Sequence, residues 1–365
     1  MNFKKYYKKL SAICILFLLV IIIILLQSDY IPDRIKQGST SSPPCDIALV
    51  IYDSMDSSYT RLIKEGIDSA SEALGKSYQI FTISDYGNSY DETIKAAAGK
   101  SSLVILPDST FEEAVYTAQT RYANTYFMLI DGIPHNTDNS DSTFNYNVIP
   151  ISYDEAEAGF LAGYAVVYDD NTNLCFICDE SNQKSLHYYY GFLQGADYAA
   201  SCEGKTNVSV SIIHENEEGG FIEEIPYNTQ IIAVTNDISN DVLKESGLET
   251  VPLINCNSLI TENENYMAVA TKNIKATVND TILDFFNNQV KGGTILKFDA
   301  ANNGISLVFD NNSFKKFDET AYKNIYKLIS THKISIISDT TVSPEDLGLT
   351  NITIKDSKID NLPFR

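Results

Sequence analysis

The chain has 365 residues, 44% of them hydrophobic and 21% charged, and a formal charge of −21. That is a folded composition, long enough for two lobes, and it excludes a disordered or collagen-like chain. So acidic a chain also argues against nucleic acid or an anionic membrane surface as a partner.

Residues 1–9 carry Lys4, Lys5, Lys8 and Lys9, and Leu10 to Leu26 is apolar apart from Ser11. As a helix rising about 1.5 Å per residue, this run spans roughly 25 Å, near the lower limit for crossing a bilayer. The lysines ahead of it predict a cytoplasmic N-terminus. No small-x-small site follows closely in QSDYIPDRIKQ, and neither Cys14 nor Cys45 sits where a lipidated cysteine would. The reading is a basic cytoplasmic segment (1–9), an uncleaved transmembrane anchor (10–27) and a polar linker (28–45). Cleavage of the apolar segment is the alternative. On the first reading the protein is single-pass in the cell membrane, with its main domain extracytoplasmic.

From Asp46 onward strands alternate with helices. DIALVIY reads as a strand, and Leu62, Ile63, Ile67, Ala70 and Leu74 have the spacing of a helix over 58–74. YQIFTIS, SLVILP and TYFMLIDG follow as strands, with SYDETIKAAAG and TFEEAVYTAQTRY as the helices between them. After the polar loop HNTDNSDSTFNY the alternation restarts with a helix over 154–167. NLCFICD, VSVSIIH, TQIIAVT and VPLINC are its strands, with helices at KSLHYYYGFLQGADYAAS and 239–246. YMAVATK is expected to be a strand returning to the first lobe, followed by a helix over 275–287. A hairpin in GGTILKFDAANNGISLVFD, a helix over 318–329 and a strand KISIIS complete the pattern.

Such alternation implies an α/β fold of parallel sheets with right-handed crossovers. We divide it into a first lobe at 46–150, to which about 262–290 returns, and a second lobe at 151–261 with about 291–339. Residues 340–365 read as a C-terminal tail. Two lobes joined by several crossings make a cleft, and ligands bind there, at the C-terminal ends of strands.

Catalytic patterns fail on inspection. EGKT at Glu203 to Thr206 imitates the end of a phosphate-binding loop, but Ala199 stands where its first glycine is required. The four histidines, His135, His187, His214 and His332, show no metal-ligand spacing, and no nucleophile elbow is present. Neither an enzyme nor a cofactor is expected. Cys175 and Cys178 lie three apart on a predicted strand, so they point to opposite faces and read as buried apolar residues. A link from either to Cys202 stays open. Of Tyr188, Tyr189 and Tyr190 on one helix, part is expected in the core and part on the surface.

Five short motifs, in order, resemble the basic membrane protein (BMP) family, the purine-nucleoside-receptor-like substrate-binding proteins of ABC transporters. They are DSSYTRLIKEG (Asp56 to Gly66), FMLIDG (Phe127 to Gly132), YDEAEAGFLAG (Tyr153 to Gly163), GFLQG (Gly191 to Gly195) and NNGISL (Asn302 to Leu307). The resemblance runs from about Asp46 to Ser338. It implies a two-lobed periplasmic-binding-protein-like (type I) fold, here with an N-terminal transmembrane helix. It also implies a nucleoside in the cleft, with aromatic rings on the base, two first-lobe aspartates taking part in the pocket, and one further aspartate and a lysine on the ribose.

Carried over position by position, the resemblance implies ligand contacts at Asp56, Tyr59, Asp131, Asn236, Asn257 and Lys272. Three departures stand out. The ribose aspartate falls on Asn257, the glycine turn falls near Asn236 without its glycines, and the stacking aromatic falls near His214 or Glu215, with Phe221 as a substitute. The first-lobe half of the pocket is therefore expected to survive and the second-lobe half to be altered. The expected function is a solute-binding protein that delivers a nucleoside-like ligand to ABC permease subunits. The alternative is a degenerate binding domain, acting as a sensor or protein-interaction ectodomain without transport.

Overall fold

The computed structural model describes residues 45–55, 57–84, 90–214, 224–236, 238, 240–257 and 266–356. The first lobe begins with strand β1 (Ile47–Tyr52), helix α1 (Ser57–Leu74), β2 (Tyr78–Ile83), α2 (Tyr90–Ala98) and β3 (Leu103–Leu106). It continues through α3 (Glu112–Arg121), β4 (Tyr126–Ile130) and β5 (Val148–Tyr153). The chain then crosses into the second lobe through α4 (Glu155–Tyr168), β6 (Asn173–Cys178), α5 (Gln183–Glu203), β7 (Val208–His214), β8 (Ile231–Val234), α6 (Asn240–Glu245), β9 (Leu253–Cys256) and β10 (Tyr266–Lys272). Helix α7 (Ile274–Phe286) and β11 (Leu296–Phe298) return to the first lobe. Strand β12 (Ile305–Phe309), helix α8 (Glu319–Ser330) and β13 (Ile352–Asp356) finish the second.

The first sheet has the order β11-β5-β4-β3-β1-β2 and the second β12-β10-β9-β8-β6-β7-β13. Pairing is parallel throughout except for β12 against β10. The central strands are buried on both faces, which is why they read as continuous Val/Ile/Leu runs such as LVIL in β3. Helix α7 sits on α1 because Ile274, Val278 and Ile282 share one apolar cluster with Ile63 and Ile67. Gly66 makes that approach possible, since a Cβ there would stand 2.7 Å from the Lys275 carbonyl oxygen.

Helices α4 and α5 approach more closely still. A Cβ on Gly159 or Gly163 would lie 2.1 or 2.0 Å from the carbonyl oxygen of Tyr188 or Phe192. A Cβ on Gly191 or Gly195 would lie 1.9 or 2.0 Å from that of Ala156 or Phe160. Two Gly-x-x-x-Gly pairs therefore face each other, and their missing side chains let the backbones touch. Helix α4 is buried from Glu155 to Val167, so it forms the middle of the second lobe rather than its surface.

Several expectations need correction. An N-terminal transmembrane helix was part of the expected fold, and a single-pass membrane location rested on it. Residues 10–27 lie outside the described residues, and among the described ones no helix is long and apolar enough to cross a membrane. The described fold is therefore two α/β lobes without a membrane helix, which overturns the expected single-pass location. Strand β10 pairs with β9 and β12 in the second sheet, so the return to the first lobe begins only at α7. Strand β5 stays in the first sheet, which carries that lobe past residue 150 to Tyr153. KISIIS is not a strand; the edge beside β7 is taken by β13, from the segment read as a tail. All three tyrosines 188–190 are buried. Cys175 and Cys178 do lie on opposite faces of β6, in separate apolar clusters.

Candidate functional site

The C-terminal ends of the strands from both sheets face one cavity of about 270 Å³. From the first lobe it is lined by Tyr52 at the end of β1, Met55 just beyond it, Tyr59 on α1, Asp108 after β3 and Asp131 after β4. From the second lobe come Lys184 and Tyr188 on α5, Thr235 and Asn236 after β8, and Asn257 after β9. This is where ligands enter open α/β sheets, because strand ends there give way to loops and helix N-termini.

Asp131 is the centre of the charge pattern. It has φ 58°, in the left-handed region that Asp tolerates better than most residues. Gly132 follows it, and a Cβ there would stand 2.9 Å from Glu112 Oε1. The same Glu112 carboxylate accepts from the Ile133 backbone N–H at 2.7 Å, which fixes the turn. So held, the Asp131 carboxylate projects out of the first lobe and meets two lysines of the second. Lys272 Nζ donates to its Oδ1 and Oδ2 at 3.0 and 2.9 Å. Lys184 Nζ donates to Oδ2 at 2.7 Å and to the Asp131 carbonyl oxygen at 2.9 Å.

Lys272 is almost fully buried, its side chain 1% exposed. Its ammonium also meets Glu155 Oε1 at 2.7 Å and lies 5.4 Å from the centre of the Tyr153 ring. Glu155 Oε2 is 3.3 Å from His187 Nδ1. Burial alone would lower the Lys272 pKa, but Asp131 and Glu155 outweigh it and the net shift is upward. Burial alone would raise the Glu155 carboxyl, and Lys272 reverses that, holding it below the usual carboxylate range. The lysine is thus a fixed cation between two carboxylates.

Neighbouring groups complete the wall. Tyr59 OH donates to the Pro107 carbonyl oxygen at 2.8 Å, and Tyr52 OH donates to Asp108 Oδ2 at 3.2 Å. Asn257 Nδ2 donates to the Thr235 carbonyl oxygen at 3.0 Å. Ser185 Oγ and Thr235 Oγ1 are 2.6 Å apart. Tyr188 Oη is buried and has no hydrogen-bond partner among the described residues. Taken together, the cavity offers carboxylate acceptors on one wall and amide, hydroxyl and ammonium groups on the other. That pattern suits a small ligand rich in hydroxyls and ring nitrogens.

Of the six residues singled out from the sequence, Tyr59, Asp131, Asn236 and Asn257 line this cavity. Lys272 stands behind Asp131, and Asp56 lies outside the described residues. Phe221 and Glu215 also lie outside them. His214 closes the far end of β7, its Nε2 2.8 Å from Asp356 Oδ1 and its Nδ1 2.8 Å from Glu180 Oε1. Lys184, Asp108, Tyr188 and Thr235 were missed. Their signal is position: Asp108 and Thr235 directly follow the C-terminal ends of β3 and β8, and Lys184 and Tyr188 lie in the first two turns of the helix after β6.

Residues 46–215 match the family model for the ABC transporter substrate-binding protein PnrA-like family, Bmp. Residues 46–215 form a Bmp family domain. The family is one of substrate-binding proteins, not enzymes. No curated protein matches the chain by sequence. Three solved structures share the two-lobed architecture around this Bmp domain. A solute-binding protein of an ABC transporter system from Conexibacter woesei is 13% identical, covers 80% of this chain and 99% of its own, and superposes with a TM-score of 0.60. Another, from Aeropyrum pernix K1, is 16% identical over 83% of this chain and 90% of its own, with a TM-score of 0.55. A transcriptional activator of the comK gene from Bacillus halodurans is 14% identical over 82% and 99%, with a TM-score of 0.57. At these identities the likeness shows the fold alone: two periplasmic-binding-protein-like lobes of mostly parallel sheet flanked by helices.

Proposed function

We propose that the cleft binds a nucleoside or a similar small polar ligand and that the protein passes it to ABC permease subunits. The observation that carries this reading is Asp131, a first-lobe carboxylate held at the cleft by a left-handed turn. Vicinal hydroxyls are donors that match such a carboxylate, and a desolvated pair of this kind rejects analogues lacking the hydroxyl. Tyr59, Asn236 and Asn257 around the same cavity support it, as does the family of residues 46–215. Asp56 belongs to the proposed contacts on family position alone, and Lys272 acts by holding Asp131.

Thermal-shift and calorimetric titration of the full chain against purine and pyrimidine nucleosides tests the proposal. Saturation at about 100 times Kd stabilises a protein by about 2.7 kcal/mol. A shift with guanosine, inosine or adenosine that disappears in Asp131→Asn is the expected result. A well-folded sample that responds to no nucleoside sinks the reading and leaves the second one, a sensor or protein-interaction domain without transport. Asn257, standing where the family has a ribose aspartate, favours that second reading.

A further inference from the structure

Asp131 is already occupied. A carboxylate offers about four lone-pair positions, and Lys272 and Lys184 engage both of its oxygens while leaving the side chain 11% exposed. The two lysines are not equivalent. Lys272 is buried and shares its charge with Glu155, so it compensates Asp131 permanently. Lys184 lies in the first turn of α5, its side chain is 34% exposed, and it reaches across the cavity from the second lobe to a residue of the first. Its ammonium fills the position from which a ligand hydroxyl would approach Asp131.

We propose that Lys184 is a cross-cleft latch, which closes the lobes in the absence of ligand and must leave Asp131 before a hydroxyl-bearing ligand can bind there. The inference rests on the reading of the cleft as a binding site but not on the identity of the ligand. Three observations support it. Lys184 makes two hydrogen bonds to one residue of the opposite lobe, to a side-chain and a backbone oxygen of Asp131. Lys272 ends β10, two residues before α7 begins in the first lobe, so it sits at the crossing and stays beside Asp131 when Lys184 departs, and release does not strand a buried charge. Asp131 and Lys184 both line the cavity of about 270 Å³, so their ion pair stands in the site itself. Affinity is then reduced by the fraction of molecules in the latched state.

Small-angle scattering on the ligand-free full chain, wild type against Lys184→Met and Lys184→Gln, tests this directly. Both variants should melt cooperatively and show a larger radius of gyration than wild type. A partly exposed ion pair is screened by salt, so salt should expand the wild type and leave the variants unchanged. Titration with guanosine, inosine and adenosine should show binding about two- to fivefold tighter in the variants, the size of a partly exposed ion pair. An unchanged radius of gyration in both folded variants overturns the latch, as does weaker nucleoside binding, which would make Lys184 a ligand contact. If no nucleoside binds any form, the nucleoside reading fails alone and the scattering still decides the latch.

Discussion

Gly159 packs directly against the backbone of Tyr188: a Cβ on the glycine would stand 2.1 Å from the tyrosine carbonyl oxygen. Tyr188 in turn lines the cleft. The contact between α4 and α5 therefore sets the position of a cleft wall as well as the core of the second lobe. Gly159→Ala has to push two helix backbones apart, and overpacking of this kind costs about 1–3 kcal/mol, or more where nothing can give. Urea denaturation should show a lowered midpoint with an unchanged slope. An alanine that leaves the midpoint where it was would show that the helices are not this close.

Lys272→Met should be more damaging than any surface lysine change. It leaves Asp131 and Glu155 facing each other, with the partly exposed Lys184 on the first and His187 beside the second. Breaking a buried pair by removing one partner costs about 3–5 kcal/mol. The loss should be greatest at neutral pH and smaller in mild acid, where Glu155, buried and freed of the lysine that holds its carboxyl down, can protonate. Lys275→Met, which breaks only an exposed pair with Glu65, is the control and should change stability very little.

Glu157 carries a pH signature of its own. Burial pushes its carboxyl up to about 7, although its Oε2 accepts from the Ala300 backbone N–H at 2.6 Å. With the folded pKa above the ordinary value, the native state binds more protons than the unfolded chain between the two. The contribution of Glu157 to stability is therefore full below about pH 4.5 and is lost as pH rises through about 7. Glu157→Gln keeps an oxygen for the Ala300 N–H and removes the titration. Thermal melts from pH 5 to 8 should show the variant gaining on wild type as pH rises. Parallel curves would place the Glu157 pKa near its ordinary value.

The parts of this molecule that were legible in the sequence are those written in local terms. Helix α1 follows from the spacing of Ile63, Ile67 and Ala70, which all turn out buried, and the Gly-containing motifs mark where backbones approach. Asp131 could be found because it ends a strand in a recognisable IDG turn. What pairs with what was less legible. YMAVATK announces a buried strand but not its sheet, and chain order suggested the wrong lobe. KISIIS and ITIKD alternate equally well, yet only the second finds an open edge, beside β7. In the first, Ile334 and Ile336 pack on the second-lobe core, and Ile337 donates its N–H to Gln194 Oε1. Lys184 meets Asp131 across 53 residues of sequence, and no periodicity links the two.

Asn257 shows why a pocket cannot be restored by a single letter. On family position it replaces an aspartate, so Asn257→Asp looks like a repair. In this fold, however, Asn257 Nδ2 donates to the Thr235 carbonyl oxygen at 3.0 Å. A carboxylate at that place cannot donate, and it would set two acceptors against each other at hydrogen-bonding distance. Losing a donor to a part-buried acceptor costs about 1–3 kcal/mol. We therefore expect Asn257→Asp to lower the thermal midpoint and to leave nucleoside affinity no tighter than wild type. Adding Thr235→Ser would not help, because the acceptor is the backbone carbonyl and remains. If Asn257→Asp instead binds nucleoside tenfold more tightly, the Thr235 carbonyl must turn away on ligand binding, and the second lobe is less altered than its hydrogen bonds imply.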